Sequence, residues 1–133
     1  MSFQVRIIAP NGIIWDSEAE EIILSTNTGK IGVLTNHTSL LTGLDIGTIR
    51  IRALNNQWNT LALMSGFAVI KDNVATIIVS EAENGANIKS EEAQTQLEEA
   101  KSYFNTAKGT KNEVEANLAV KRAETRLKAS QNL

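Results

Sequence analysis

The sequence predicts an α+β protein in which an N-terminal antiparallel β-sandwich is followed by a C-terminal antiparallel helical hairpin. Two patterns carry this prediction. From Phe3 to Ser80 apolar and polar residues alternate with a period of two, which is typical of half-buried strands. Beyond Ser90 the apolar residues recur every three or four positions, as they do on one face of a helix. A chain of 133 residues suits one compact domain with an appendage.

The strand-rich half contains about eight predicted strands joined by short connections. Phe3–Ile7 and Ile49–Arg52 alternate clearly, whereas Ile22–Leu24 and Ile77–Val79 are continuous apolar runs that predict strands covered on both faces. Residues that favour turns fall between the strands: Pro10-Asn11-Gly12, Asn55-Asn56, Ser65-Gly66 and Asp72-Asn73. We expect Asp72-Asn73 to form a two-residue hairpin turn, because both residues tolerate left-handed backbone geometry.

The composition changes after Ser80. Residues 81–87 are small and polar, which predicts a boundary between a sandwich at 1–84 and a hairpin at 85–133. Ser90 is the predicted N-cap of the first helix, which should end at Lys108-Gly109. Thr110 and Glu113 have the spacing of a capping box that starts the second helix. The apolar faces of the two helices are rich in alanine: Ala93, Leu97, Ala100, Phe104, Ala107; Val114, Ala116, Ala119, Val120, Ala123, Leu127.

An alanine-rich hairpin buries little apolar area, and helices of this length are marginal alone. We therefore expect the hairpin to depend on a neighbour and to be able to change its packing. Its end carries Lys121, Arg122, Arg126 and Lys128 against Glu124 alone, with Arg122 and Arg126 on one face. Residues 1–84 carry five Lys/Arg and eight Asp/Glu, whereas residues 85–133 carry eight and seven, so the surplus of positive charge lies in the hairpin.

The composition excludes several classes of function. The net charge of -2 is too small to attract nucleic acid or an anionic membrane to the whole molecule. The chain has no cysteine, so disulfides, thiolate zinc sites and cysteine nucleophiles are absent. Its longest apolar run is a handful of residues, far below the ~20 that cross a bilayer. The first residues lack the charged start and apolar run of a signal peptide.

The stretch from Gly29 to Gly47 holds the single histidine, His37, and four of the eight glycines. Gly29-Lys30-Ile31-Gly32 is too short for a phosphate-binding loop and lacks its Gly-Lys-Ser/Thr ending. One imidazole with no partner motif supports neither a metal cluster nor a serine triad. We therefore expect no catalytic residue, no metal and no cofactor, and we interpret the stretch as a docking surface.

Several segments, together with the order of the parts, resemble one known family. The segments are Ile14–Glu18, Glu21–Asn27, Gly29–Gly47, Leu63–Phe67 and Glu115–Ala123. They are similar to the epsilon subunit of the F-type rotary ATP synthase, and their residues are most similar to those of the plastid and cyanobacterial branch. The resemblance covers nearly the whole chain.

The resemblance implies a noncatalytic central-stalk subunit that couples rotation of the c-subunit ring to the catalytic head through gamma. It implies that Gly29, Lys30, Ile31 and His37 contact the c-ring or gamma. It further implies that Lys121, Arg122, Arg126 and Lys128 contact an acidic segment of the catalytic beta subunits when the hairpin extends, which restrains ATP hydrolysis. We expect no homo-oligomer and no nucleic acid partner. Membrane association would come only through the complex, on the stromal side of the thylakoid or on the cytoplasmic side in a bacterial cell.

Two segments depart from the family pattern. Leu34–Ser39 lacks two prolines that many relatives carry, so this loop loses two fixed φ angles. Ile88–Ala93 has lysine and glutamate where ATP-sensing members have aspartate and arginine, so we expect no nucleotide sensing. The alternatives are a free-standing nucleotide-binding regulatory module, which ATP binding to the isolated chain would test, and a small hydrolase, against which the lone His37 argues.

Overall fold

The computed structural model describes residues 1–133 and contains nine strands, one 3₁₀ turn and two helices. The strands are β1 (Phe3–Ala9), β2 (Gly12–Thr26), β3 (Gly29–Leu34), β4 (Leu40–Leu44), β5 (Gly47–Ala53), β6 (Trp58–Leu63), β7 (Gly66–Lys71), β8 (Val74–Val79) and β9 (Ala82–Asn84). A 3₁₀ turn (Gly85–Asn87) leads to α1 (Ser90–Ala107) and α2 (Glu113–Ser130). The predicted class, a sandwich followed by a helical hairpin, is confirmed, with nine strands where about eight were expected.

Strand pairing places the nine strands in two layers that share β2. One layer runs β4-β7-β8-β1 and continues into the first half of β2. The other contains the second half of β2 with β3, β5, β6 and β9. The register of β2 shifts between Ala19 and Glu21, where the strand passes from one layer to the other. The pairing of β1 with β8 is parallel, and the other pairings are antiparallel.

The core lies between the layers and consists of aliphatic side chains that alternate along each strand. Eighteen buried residues form one cluster, and its largest fully buried members come from both layers: Ile7, Ile22, Leu24, Ile49, Ile51, Leu61 and Ile77. Because the period of two places these residues on the same face of their strands, burying that face closes the sandwich.

The continuous apolar runs were wrongly predicted to be covered on both faces. In Ile22–Leu24 the first and third residues are buried while Ile23 is half-exposed, and in Ile77–Val79 the middle residue, Ile78, is 39% exposed. The helices pack over β5 and β6 and leave the outer face of β8 uncovered. The prediction of a turn at Asp72-Asn73 is confirmed, since both residues have positive φ between β7 and β8.

The hairpin packs on the outside of β6. Ala62 and Met64 point away from the sandwich core and form a second cluster with Ile88, Ala93 and Ala129. The cluster has five buried residues, three of them alanines, so little apolar area holds the hairpin in place. Neither helix is long and apolar enough to cross a bilayer.

The helix ends differ from two predictions. Lys89, not Ser90, occupies the N-cap of α1, and the Ser90 hydroxyl donates to Ser130 Oγ at 2.9 Å instead. Thr110 accepts from the backbone N–H of Asn112 and donates to the carbonyl of Ala107, so the predicted capping box with Glu113 does not form. Gly109 adopts the positive φ of +80° expected of a helix C-terminal glycine.

Candidate docking surfaces

An apolar stripe crosses the outer face of the layer that the helices leave open. Strand register places four side chains in one row, because Phe67 lies opposite Ile78, Ile78 opposite Ile8, and Ile8 opposite Ile13. Phe67 is 42% exposed, Ile78 39% and Ile13 60%. Adjacent exposed apolar side chains of this size mark an interaction surface more than scattered ones do.

A second pair widens this apolar stripe. Leu41 of β4 lies opposite Val69 of β7, two residues along from Phe67 and on the same face, and Leu41 is 71% exposed. Sequence reasoning missed the stripe because its members come from five strands that are distant in the chain.

The start of β3, directly after the β2–β3 turn, carries Gly29, Lys30 and Ile31. Gly29 has a φ of +127°, which favours glycine, and its carbonyl accepts from Thr26 Oγ1 at 2.5 Å. Lys30 is exposed, whereas Ile31 is half-buried and packs against the sandwich core. Of the three, Lys30 therefore presents the most side chain to a partner.

His37 lies at the other end of β3, in the β3–β4 loop. Its Nδ1 donates to the carbonyl oxygen of Thr38 at 2.7 Å. The loop is held by a reciprocal pair, in which Asn36 N–H donates to Asn73 Oδ1 at 2.6 Å and Asn73 Nδ2 donates to Asn36 Oδ1 at 3.0 Å. This pair restrains the β3–β4 loop.

Lys30 and His37 do not form one patch. Most of β3 separates them, since the strand from Lys30 to Leu34 alone spans about 13 Å at ~3.3 Å per residue and His37 lies beyond its end. A partner that contacts both must therefore span the whole strand, or the two residues must meet different partners.

Arg126 joins three elements of the structure. Its Nε and Nη2 donate to the two carboxylate oxygens of Glu83 at 2.8 and 2.9 Å, and its Nη1 donates to Gln96 of α1. The hydrogen bonds to Glu83 raise the pKa of the Arg126 guanidinium above its ordinary value, against a smaller effect of burial that lowers it. We call this arrangement of Arg126, Glu83 and Gln96 the Arg126 junction; it fixes α2 to β9 and α1.

Further contacts beside the Arg126 junction hold the end of α2. Asn132 accepts from Thr60 Oγ1 at 2.7 Å and donates to the carbonyl of Trp58 at 3.1 Å. The backbone of Gly85 approaches Ala129 so closely that a Cβ on Gly85 would lie 2.1 Å from the Ala129 carbonyl oxygen. Hairpin docking therefore depends on a few directional contacts at the sandwich surface.

The four basic residues of α2 lie on two faces of the helix. Lys121 and Lys128 line a cavity of about 310 Å³ together with Lys30, Asp45 and Glu124, and none of the three lysines forms an ion pair. Arg122 and Arg126 line the opposite side of α2. Docking of the hairpin on the sandwich thus brings Lys30 beside Lys121 and Lys128. The resemblance implied that Lys30 contacts the c-ring or gamma and that the other two contact beta.

The cavity beside Arg122 and Arg126 is a poor site for a nucleotide. It is open, has a volume of about 640 Å³, and is also lined by Glu81, Glu83 and Glu99. Three carboxylates face two guanidiniums there, and one guanidinium is already bound to Glu83. A polyphosphate would meet net negative charge. No group of three or more His, Asp and Glu side chains is arranged to hold a metal ion.

Comparison with known proteins agrees with this geometry. Residues 2–85 match the sequence model of a family described as "ATP synthase, Delta/Epsilon chain, beta-sandwich domain". The chain belongs to this ATP synthase family. It is 54% identical over 129 residues to the ATP synthase epsilon chain, chloroplastic, of Staurastrum punctulatum, covering 97% of this chain and 93% of that protein. The tomato relative, from Solanum lycopersicum, is 51% identical over 130 residues, covering 98% and 97%. The family resemblance predicted from the sequence is confirmed.

Solved structures share the fold. A chain in the Euglena gracilis mitochondrial ATP synthase structure, described as OSCP/F1/c-ring in rotational state 1, superimposes with a TM-score of 0.83 at 22% identity, covering 98% of this chain and 81% of that one. A chain in the Tetrahymena thermophila mitochondrial ATP synthase structure, described as central stalk/c-ring, gives a TM-score of 0.57 at 14% identity, covering 96% and 92%.

Proposed function

We propose that this protein is the noncatalytic epsilon subunit in the F1 central stalk of a plastid ATP synthase, on the stromal side of the thylakoid. The apolar stripe supports this most directly, because a subunit that transmits torque needs a broad apolar surface against its neighbour in the stalk. The sandwich at 1–84 is the docking domain, and the hairpin at 85–133 is the regulatory domain. The high identity to chloroplastic epsilon chains supports the compartment.

The partners are assigned by the chemistry of each surface. Gamma packs on the apolar stripe, which faces away from the hairpin and stays free when the hairpin is docked. Lys30, exposed at the start of β3, contacts the c-ring. His37, beyond the other end of β3, contacts gamma and not the ring.

Recovery of gamma by the purified chain tests the stripe. Phe67→Asp or Leu41→Asp places a carboxylate in the apolar stripe, and we expect at least tenfold weaker gamma binding, because an unpaired charge is desolvated there. Val114→Asp is the matched control, since Val114 is 74% exposed and lies on the hairpin. Equal loss from all three changes, or none from the first two, contradicts the assignment.

The hairpin restrains ATP hydrolysis when it leaves the sandwich and its basic residues contact the acidic segment of beta. Exposed ion pairs contribute ~0.2–1 kcal/mol each, so four give on the order of 2 kcal/mol, about thirtyfold in an equilibrium. Because Arg126 cannot bind Glu83 and beta at once, docking and inhibition compete for the same guanidinium.

Hydrolysis by the assembled complex tests the inhibitory role. Lys121→Glu with Arg122→Glu reverses two charges outside the Arg126 junction, and we expect several-fold faster hydrolysis. Truncation before Gly85 removes the whole hairpin and should give the highest rate of hydrolysis. Lys101→Glu, an exposed charge reversal on α1, is the control and should leave the rate unchanged. If hydrolysis is unchanged in all variants, the hairpin has no inhibitory role and only the coupling role remains.

A further inference from the structure

The connection between sandwich and hairpin contains an Asn-Gly pair, Asn84-Gly85. Asn-Gly is the dipeptide most prone to deamidation, because glycine places no side chain in front of its backbone nitrogen. That nitrogen attacks the Asn side-chain carbonyl carbon, its proton leaves with the departing amide nitrogen as ammonia, and a succinimide ring forms. Water then opens the ring to aspartate or to isoaspartate, in which the backbone runs through the side-chain carbon.

Docking of the hairpin blocks this reaction in the structure. Asn84 Oδ1 accepts from the backbone N–H of Ala86 at 3.0 Å, so the side chain is held in place as the cap of the 3₁₀ turn. Gly85 is buried, with the carbonyls of Ala129 and Thr60 against its Cα. The strand pairing of Asn84 with Leu61 restrains the backbone further. Ring closure needs each of these restraints to yield.

The isoaspartate product does not fit the docked arrangement. It inserts one methylene into the backbone of residue 84, directly before a glycine so closely enclosed that a Cβ on it would lie 2.1 Å from the Ala129 carbonyl oxygen and 2.6 Å from that of Thr60. It also adds a carboxylate next to Glu83, which the Arg126 junction uses.

We propose that Asn84-Gly85 is a deamidation site that reacts only while the hairpin is undocked, and that its isoaspartate product keeps the hairpin undocked. The reaction requires water alone as co-reactant. Each time the hairpin undocks, Asn84 can therefore deamidate, and the isoaspartate product then keeps the hairpin undocked. The proposal concerns the isolated chain and holds whichever partners the hairpin meets.

Peptide mapping by mass spectrometry tests the first half, using the full chain incubated under mildly alkaline conditions. Arg126→Gln and Asn132→Ala each remove docking contacts without touching Asn84, so two independent variants report on the same opening. When opening is fast, the rate follows the population of the open form. We expect about tenfold faster deamidation at Asn84 in Arg126→Gln, which corresponds to about 1.4 kcal/mol.

Asn11-Gly12 provides an internal control. Both residues are exposed at the β1–β2 turn, and neither takes part in a contact that docks the hairpin, so the Asn11 rate should be the same in every variant. An Asn84 rate that stays equal to that of the unmodified chain in both variants overturns the proposal. So does an acceleration shared by Asn11 and Asn84, because it would reflect general unfolding.

Hydrogen exchange of the aged, isoaspartate-containing fraction tests the second half. We expect its α2 amides to lose protection while the core strands keep theirs. Asn84→Asp is the matched control, because it adds the charge and an acceptor for Ala86 without lengthening the backbone, and it should remain docked. Retained protection in the isoaspartate fraction, or equal loss in Asn84→Asp, contradicts the steric mechanism.

Discussion

The sandwich and the hairpin are stabilised in different ways. The sandwich core contains eighteen buried residues dominated by Ile, Leu and Val, whereas the hairpin attaches through five, three of which are alanine. The hairpin buries little apolar area and is held instead by directional contacts. These are the Arg126 junction, the two hydrogen bonds of Asn132 and the close approach at Gly85. Directional contacts are lost together when geometry changes, so the hairpin can leave while the sandwich stays folded.

The largest expected effect on stability comes from a change in the sandwich core, and it is compared with a matching change in the hairpin. Leu61→Ala removes a fully buried side chain between the layers and should lower the free energy of unfolding by about 3 kcal/mol, measured by urea denaturation. Leu97→Ala, at a buried position in α1, should reduce amide protection in the helices alone. If Leu97→Ala weakens the strands equally, the two regions unfold as one unit and the comparison fails.

The next effect concerns Gly85. Gly85→Ala should cost about 2 kcal/mol of docking free energy, because the new Cβ overlaps two carbonyl oxygens. Hydrogen exchange should then show unprotected helices on an intact sandwich. Gly32→Ala is the control, since its Cβ would meet only the Glu21 side chain at 3.8 Å. Loss of the sandwich in Gly85→Ala would show that the connection is part of the core.

A smaller effect is expected at the Arg126 junction. Arg126→Gln should weaken docking by about 1.4 kcal/mol, and Arg122→Gln, which forms no ion pair, by much less. The raised pKa of Arg126 means that its contribution is complete below the ordinary arginine value and is lost only as pH rises through the still higher folded value. Amide protection of the helices in the unmodified chain, corrected for intrinsic exchange, should therefore show no change caused by titration of Arg126 between about pH 7 and about pH 10.

The smallest effect is expected at Lys30. Lys30→Gln should change the free energy of unfolding by less than about 0.5 kcal/mol, because this exposed side chain forms no ion pair. In the assembled complex the same change should reduce coupling of proton flow to ATP synthesis. A large loss of stability in the isolated chain would give Lys30 a structural role and remove it from the docking surface.

Local patterns predicted what depends on local chemistry. The period of two predicted the strands, and Asp72-Asn73 and Gly109 were correctly predicted as turns with positive φ. The small polar segment after Ser80 was predicted to be a boundary, but its residues Ala82–Asn84 form β9 and pair with β6. Ile78 was misjudged because hydrophobicity alone does not say which strand faces a helix covers. Ser90 and Thr110 were misjudged because each hydroxyl found a different partner nearby.

The candidate sites depended more on distant contacts. Arg126 and Glu83 are 43 residues apart, and nothing in either segment indicates the other. The apolar stripe likewise depends on the register of five strands. Lys30 and His37 are close in sequence, and only the straight course of β3 shows that they lie at opposite ends of it.

The pairing of β1 with β8 has a consequence for synthesis of the chain. Gln4 lies beside Val74, so the layer that holds the apolar stripe cannot close until about the first eighty residues have left the ribosome. Until then β1 and the early part of β2 can form only a lone hairpin, which is marginal in water. The helices, made last, form from local contacts in microseconds and meet a finished surface on β6. The order of synthesis therefore builds the rigid part first and adds the movable part to it.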